Sequence, residues 1–412
     1  MGISLGLVGL GSFGSAFAPL LNSHPAVDRI AFCDLNPASL AKFVNDPFYR
    51  DKFDPKDTFA SLDDILAADL DALAIITQPQ LHAPQCIAAM EAGKHVYSAV
   101  PVISLPDFDE ILEWCDRIIR TREKTGMRYM LGETTVYRPK TMFCRRMADR
   151  GEFGTFVYAE GEYIHDVDAQ CNLRDVAASR AANPSAVPRG TVLTTRSGTE
   201  PKGSPMSYPT HSVSGPVHVM RAHAVKASAI GFRNRTGDPY FARQVFSNVV
   251  AFYRMSNGAA CRICEFREAP GYFGDDAETF RIAGTAGTFS NGMWWRNGRT
   301  QAGRVPPPTC QTPTDEEMRD PLPSEVVHAF KRVEHRGTPE SELAHLDFTP
   351  TGHGGSHPYL VHEFVTAVAE NRQPVINAWE AARYMAMGAM AHKSALRDGE
   401  WLDVPDWGDA PG

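Results

Sequence analysis

A chain of 412 residues with 43% apolar side chains is long enough for two globular domains, each with its own core. A net charge of −8, a pI of about 6.0 and no run of five like charges argue against nucleic acid or an anionic membrane as partner. No apolar run approaches the ~18 residues of a membrane span, and the opening residues lack a secretory signal pattern, so a cytoplasmic protein is expected.

The first third of the chain alternates short apolar runs with helical patterns. SLGLVGL, IAFCD, LDALAIIT and HVYSAV read as strands, with RYMLGE as a fifth. Residues 105–126 carry Phe108, Ile111, Leu112, Cys115, Ile118 and Ile119 at helical spacing, and Gly126 is a C-terminal stop. The alternation predicts an α/β fold, a doubly wound parallel sheet of Rossmann type over residues 1–134.

From about Gly154 the texture changes. FVYAEGEY, VVAFYRM and AACRICEF suit a large, mostly antiparallel sheet, so a second, α+β domain is expected over 135–412. Residues 166–216, rich in Ser, Pro, Gly, Thr and Arg, read as a long loop, and a segment that long is usually functional or disordered. Residues 305–323 form a second Pro-rich loop, and C-terminal helices are expected over 358–398, the first opening at Pro358 and the second capped by Asn377 and Glu380. The eight cysteines are scattered and should be reduced; Cys261 and Cys264 make a lone CxxC in a strand-like run, and no metal is expected.

Gly9, Gly11 and Gly14 in GLGSFG follow the first strand and open a helix, the context a GxGxxG turn needs to bind a dinucleotide. Gly9 permits the turn, Gly11 lets backbone approach a pyrophosphate, Gly14 lets helix and strand pack closely, and Ser12 and Phe13 lie at the helix N-terminus facing the phosphates. Asp34, 20 residues beyond Gly14, suits both ribose hydroxyls and repels a 2′-phosphate, so NAD is the expected cofactor. Thr77, Gln78, Pro79 and His82 in TQPQLH fall on the carboxyl edge of the sheet, as do Ala99 and Val100 in GKHVYSAVP, and Glu133 lies toward the nicotinamide end.

In this order, GxGxxG, Asp34, TQPQLHAPQCIAAMEAGKHV and Pro101 resemble the glucose–fructose oxidoreductase, inositol dehydrogenase and MocA-like superfamily. That family has AGKHVxxEKP here, with a Lys that moves a proton at the sugar hydroxyl being oxidised; this chain has Ala99, Val100 and Pro101 instead. A branch with a related loss, the NAD-dependent glycosidases of glycoside hydrolase family 109, is similar further along. GEYIHD and YPTHSVSGPV resemble the segments that hold its catalytic Tyr and His, and GHGGSH resembles its GHGG segment. Ala99 departs from that branch's EVP, and Ser356-His357 from the residues that succeed its GHGG, which implies a different substrate, with sulfoquinovosidases as neighbours.

Oxidising carbon 3 of a pyranose to a ketone acidifies the hydrogen on carbon 2. Elimination across carbon 1 and carbon 2, water addition and return of the hydride then give net hydrolysis, without the paired carboxylates of ordinary glycosidases. By the resemblance, Tyr163 is the base for the carbon-2 proton, and His211, with a pKa near neutrality, holds the carbon-3 hydroxyl proton in place of the missing Lys. Tyr208 assists at the leaving group or binds the ring. A packed strand tyrosine is the plain alternative for Tyr163, whose neighbour His165 shares its strand face.

Arg138, His165, Arg174 and His353 are the substrate-binding candidates. Arg138 and Arg174, with Arg189, Arg196 and Arg267, are guanidinium groups that suit an anionic sugar. His218, His223, Ser356 and His357 read as structural, the last two as a turn and helix cap.

Three functions remain open. The first is an NAD-dependent glycoside hydrolase, on a small-molecule sugar that includes an anionic hexoside such as a sulfoquinovoside. The others are a sugar dehydrogenase in which His211 replaces the Lys, and a non-catalytic NAD-binding protein. The resemblance also implies a homo-oligomer, dimer or tetramer, paired through the open face of the antiparallel sheet.

Overall fold

The computed structural model of the chain describes residues 2–168, 173–182, 203–270, 278–297 and 307–411. Cys171, Arg189 and Arg196 lie outside the described residues.

The first sheet contains β1 (Ile3–Val8), β2 (Val27–Cys33), β3 (Thr58–Phe59), β4 (Ala72–Ile75), β5 (His95–Ser98) and β6 (Tyr129–Leu131), in the order β3-β2-β1-β4-β5-β6. Every pairing is parallel. β1 and β4 are buried almost throughout, as parallel strands covered on both faces must be. The strand order reverses beside β1, which places the carboxyl ends of β1 and β4 at the crevice where dinucleotides bind. The helix expected over 105–126 runs Phe108–Thr125: Asp107 accepts from the backbone of Asp109 and Glu110 at its start, and Gly126 ends it with φ +73°.

The second sheet has nine strands, which are β7 (Phe156–Ile164), β8 (Ala224–Phe232), β9 (Asn248–Met255), β10 (Ala260–Phe266), β11 (Glu278–Gly284), β12 (Gly287–Ser290), β13 (Met293–Arg296), β14 (Thr309–Gln311) and β15 (Leu402–Asp403). Their order is β14-β13-β12-β11-β7-β10-β9-β8-β15, antiparallel except between β7 and β10. Cys261 and Cys264 are buried in β10 as free thiols.

The stretch 166–216 departs from the loop reading, because it contains helix Leu173–Ala182 and the first turns of helix Thr210–Met220. The second of these is buried nearly all round, so it shows none of the two-sided periodicity by which a surface helix is read from sequence. It packs flat on the sheet because β7 carries Gly161 beneath it: a Cβ there would lie 1.8 Å from the Ser212 carbonyl.

The chain returns to the first sheet at its end. Helix His357–Ala369 buries Leu360, Val361, Phe364, Val365 and Val368 in one core with Leu5, Leu7 and Phe17, and Phe364 meets the Tyr97 ring at 5.6 Å. Phe364→Ala should cost about 3–5 kcal/mol, read as a lowered urea midpoint. A loss below about 1 kcal/mol would mean that this helix does not anchor the first sheet.

Candidate active site

The glycine turn has the shape of a nucleotide cradle. Gly9 adopts φ +93°, and a Cβ on it would lie 2.3 Å from the Ile76 carbonyl; one on Gly14 would lie 2.0 Å from the Gly9 carbonyl. Gly11 differs, since a Cβ there meets nothing within 4 Å and its φ of −65° suits any residue. Its smallness therefore answers to something outside the chain, which fits a pyrophosphate. Helix Ser12–Ser23 begins with no side-chain cap and no acidic residue in its first turn, leaving its N-terminus to an anion. Asp34 locks the turn in place, accepting from the Leu10 and Asn36 backbone amides at 2.7 Å each.

The other cofactor candidates line the same edge, some through structural ties. His82 is 1% exposed, with ring nitrogens 2.8 Å from the Pro101 carbonyl and 3.2 Å from that of Thr77. Thr77 Oγ1 donates to Gln85 at 2.5 Å, Gln78 accepts from Gln80 at 2.7 Å, and the Pro79 carbonyl accepts from the Ser104 amide at 3.2 Å. Ala99 and Val100 are buried, and the Val100 carbonyl accepts from the Tyr208 hydroxyl at 3.0 Å. The position of the absent Lys is thus one of the points where the second half of the chain fastens onto the first.

Beside it lies a buried charge cluster. His211, at the start of helix Thr210–Met220, donates from Nδ1 to Glu133 at 2.8 Å and has Glu278 at 3.7 Å. Arg138 pairs with Glu278 at 2.9 Å, and Thr135 donates from its hydroxyl to Glu278 at 2.7 Å and from its amide to Glu133 at 2.9 Å. Burial disfavours the imidazolium, but the charges of Glu133 and Glu278 outweigh it and raise His211 to about 9. Burial likewise opposes the Glu133 carboxylate, and His211 pulls it down to about 2. The near-neutral histidine expected from the sequence is therefore a cation in this structure. Donor atoms of Glu133, His211 and Glu278 lie within 4.8 Å of one another, but Arg138 and the imidazolium balance the two carboxylates, so we read the cluster as paired ions rather than a metal cage.

The aromatic candidates converge on this histidine. The rings of Tyr163 and Tyr208 lie 4.9 and 5.4 Å from that of His211. Tyr163 shares its face with His165, as the strand spacing predicts, and its hydroxyl meets His165 Nδ1 at 2.5 Å. Burial holds the Tyr163 phenol well above its ordinary range, opposed most strongly by Arg267. His353, with φ +43°, bonds His357 at 3.1 Å and packs edge-on against Phe13 at 5.3 Å, so the GHGG turn sits against the cofactor turn. Ser356 occupies the helix N-cap without capping through its side chain, unlike the cap expected there.

Arg174 stands with other partners, bonded to Asp168 at 2.8 Å and to Asp238 at 2.8 Å. Glu278, Thr135, Ser212 and Glu265 escaped the sequence reading. No local motif marks them; strand register brings in Glu278 and Glu265, which pair with Tyr163 on either side, while Ser212 comes with the helix that carries His211 and Thr135 with the turn after Glu133.

Residues 3–133 match a family model described as oxidoreductase family, NAD-binding Rossmann fold, which bears out the superfamily resemblance and the cofactor NAD. Among curated proteins the chain is similar to a glycosyl hydrolase family 109 protein of Bacteroides fragilis, 33% identical over 172 residues, 40% of this chain and 35% of that one. A family 109 protein of Stenotrophomonas maltophilia is 31% identical over 172 residues, 40% of this chain and 36% of that one. The matched segment is thus about a third of the length of these relatives. The fold is similar to levoglucosan dehydrogenase in complex with NADH, with a TM-score of 0.68 and 18% identity over 98% of this chain and 100% of that one. It is also similar to myo-inositol 2-dehydrogenase from Lactobacillus plantarum, with a TM-score of 0.65 and 16% identity over 98% and 100%.

The cradle and the ion pair each carry a measurable consequence. Gly11→Ala should leave thermal stability unchanged yet weaken NAD binding at least about tenfold by calorimetry, whereas Gly14→Ala should lower both. The ion pair sets a pH signature. His211 is raised from 6.5, so its contribution is complete below 6.5 and lost as pH rises through about 9. Glu133 is depressed from 4.5, so its contribution is complete above 4.5 and lost as pH falls through about 2. Glu133→Gln should therefore destabilise by about 3 kcal/mol. The loss should be greatest between pH 4.5 and 6.5, measured by denaturation across pH.

Proposed function

We propose that this protein is an NAD-dependent glycoside hydrolase that works by transient oxidation at carbon 3, elimination across carbon 1 and carbon 2, water addition and reduction. The observation that carries the reading is the buried His211–Glu133 pair, with Tyr163 and Tyr208 packed on the His211 ring, beside a strand end that lacks the Lys. Similarity to family 109 proteins over part of the chain supports it. NAD, when bound along the turn of Gly9, Gly11 and Gly14 with Asp34 at its ribose, accepts a hydride from the sugar and returns it.

In this reading His211 Nδ1 stays on Glu133, and the ring in its neutral form takes the carbon-3 hydroxyl proton at Nε2, becoming the imidazolium that Glu133 and Glu278 stabilise, and gives it back on re-reduction. Tyr163 takes the carbon-2 proton, and Tyr208, tethered to the Val100 carbonyl, orients the ring at carbon 1. The cluster of Glu133, Glu278, Arg138 and Thr135 holds the His211 ring at a fixed angle and stabilises the positive charge it takes up. Arg138, Arg174 and Arg267 each already hold carboxylates, which favours a neutral glycoside over the anionic one. Ile230 and Phe252 project 74% and 49% exposed from the open face of the second sheet, which supports a homo-oligomer paired through that face.

A sugar dehydrogenase is the second reading, favoured by the fold likeness to levoglucosan and inositol dehydrogenases. A screen of α- and β-glycosides in deuterated water separates the two. The hydrolase releases the leaving group, places deuterium at carbon 2 of the sugar and accumulates no NADH. A dehydrogenase accumulates NADH in step with oxidised sugar and releases nothing. His211→Ala should lower kcat/KM by about 10²–10⁴ in either case, and retention of full activity would remove His211 from the mechanism.

A further inference from the structure

Tyr163, offered above as the base for the carbon-2 proton, is buried, and burial alone holds a phenol neutral. A phenolate there needs a cation that is itself held in place. One lies against the ring: Arg267 Cζ stands 4.6 Å from the Tyr163 ring centroid. The guanidinium is 6% exposed and fixed on three sides. Its Nη1 donates to the Phe266 carbonyl at 2.9 Å and to that of Tyr163 at 3.5 Å, and its Nη2 pairs with Glu265 at 2.8 Å. Glu265, with no exposed surface, also accepts the hydroxyl proton of Ser212, the residue after His211.

Resting on that reading of Tyr163, we propose that Arg267 is its positioning residue: the guanidinium fixes the ring by its face and supplies the positive charge against which the phenolate forms. Glu265 holds Arg267 in register and, through Ser212, ties this arrangement to the helix that carries His211. A cation over an aromatic face is attracted to the ring, more strongly as the ring gains negative charge. The other groups facing Tyr163 are Glu265 from β10, Glu278 from β11, Tyr208 and His211 from the helix and the turn before it, and His165 beyond its own strand. Two cations thus meet the ring: His211, 4.9 Å between ring centroids and committed to Glu133 and Glu278, and Arg267, over the face at 4.6 Å.

The test needs no substrate. A polyfluorinated tyrosine at position 163, whose more acidic phenol titrates within the range the fold tolerates, is followed by fluorine NMR against pH in the full-length protein. Substitution Arg267→Met should raise the ionisation midpoint by about one pH unit or more, a tenfold change in ionisation, and Arg267→Lys should restore part of it. Glu265→Gln removes the opposing charge while keeping a hydrogen-bonding side chain, and should lower the midpoint. Shifts of opposite sign cannot come from general loosening of the site, and if Arg267→Met does not fold, Glu265→Gln decides alone. An unchanged midpoint in the folded variants, shifts of one sign, or a phenol in the parent that stays protonated up to unfolding overturns the proposal. Glycoside release with an unmoved phenol would sink this inference and spare the hydrolase reading; a shifted phenol with no glycoside release would do the reverse.

Discussion

A carboxylate with no exposed surface stays ionised only against a cation, and Glu133 has one in His211. The two residues come from opposite halves of the chain, Glu133 from just past β6 and His211 from the helix lying on the second sheet. Removing either partner would leave the other's charge buried and uncompensated, so the pair specifies how the two sheets meet. Everything chemical in the site is arranged about this bond. Tyr163 and Tyr208 pack on its imidazole, Glu278 and Arg138 balance it, and the glycine turn lies across the crevice.

The arrangement also explains how a strand end ending in Ala99 and Val100 can serve the proposed site. Where a Lys would bring one mobile charge on a flexible stem, this chain uses an imidazolium set by two carboxylates and a tyrosine bonded to the Val100 carbonyl. A histidine held in this way has one ring nitrogen committed and the other free to exchange a proton.

Much of this was legible in the sequence, and the limits are physical. GLGSFG and Asp34 announced themselves because spacing along one strand, turn and helix is local information. Tyr163 and His165 were placed on one face by the period of a strand, and they share it. Glu278 and Glu265 were invisible because only the register of β7 between β10 and β11 makes them neighbours of Tyr163, and Ser212 because its partner is that same Glu265. Helix Thr210–Met220 was hidden for a different reason: buried nearly all round, with Pro216 inside and Gly215 beside it, it has neither a polar face nor helix-forming composition to betray it. β3, of two residues, is too short to carry any pattern.

The packing of helix His357–Ala369 on the first sheet bears on the order in which the molecule can assemble. A chain emerging from the ribosome presents β1 to β6 first, yet part of the apolar cover for that sheet is supplied by Leu360 and Phe364, near its far end. Contacts of such long sequence separation form late, because the loop between them must close before they gain anything. The dinucleotide half gains this part of its cover only when residues 357–369 pack on it. Until residues 357–369 are made, a nascent chain leaves that part of the first sheet's apolar face open to non-native contacts.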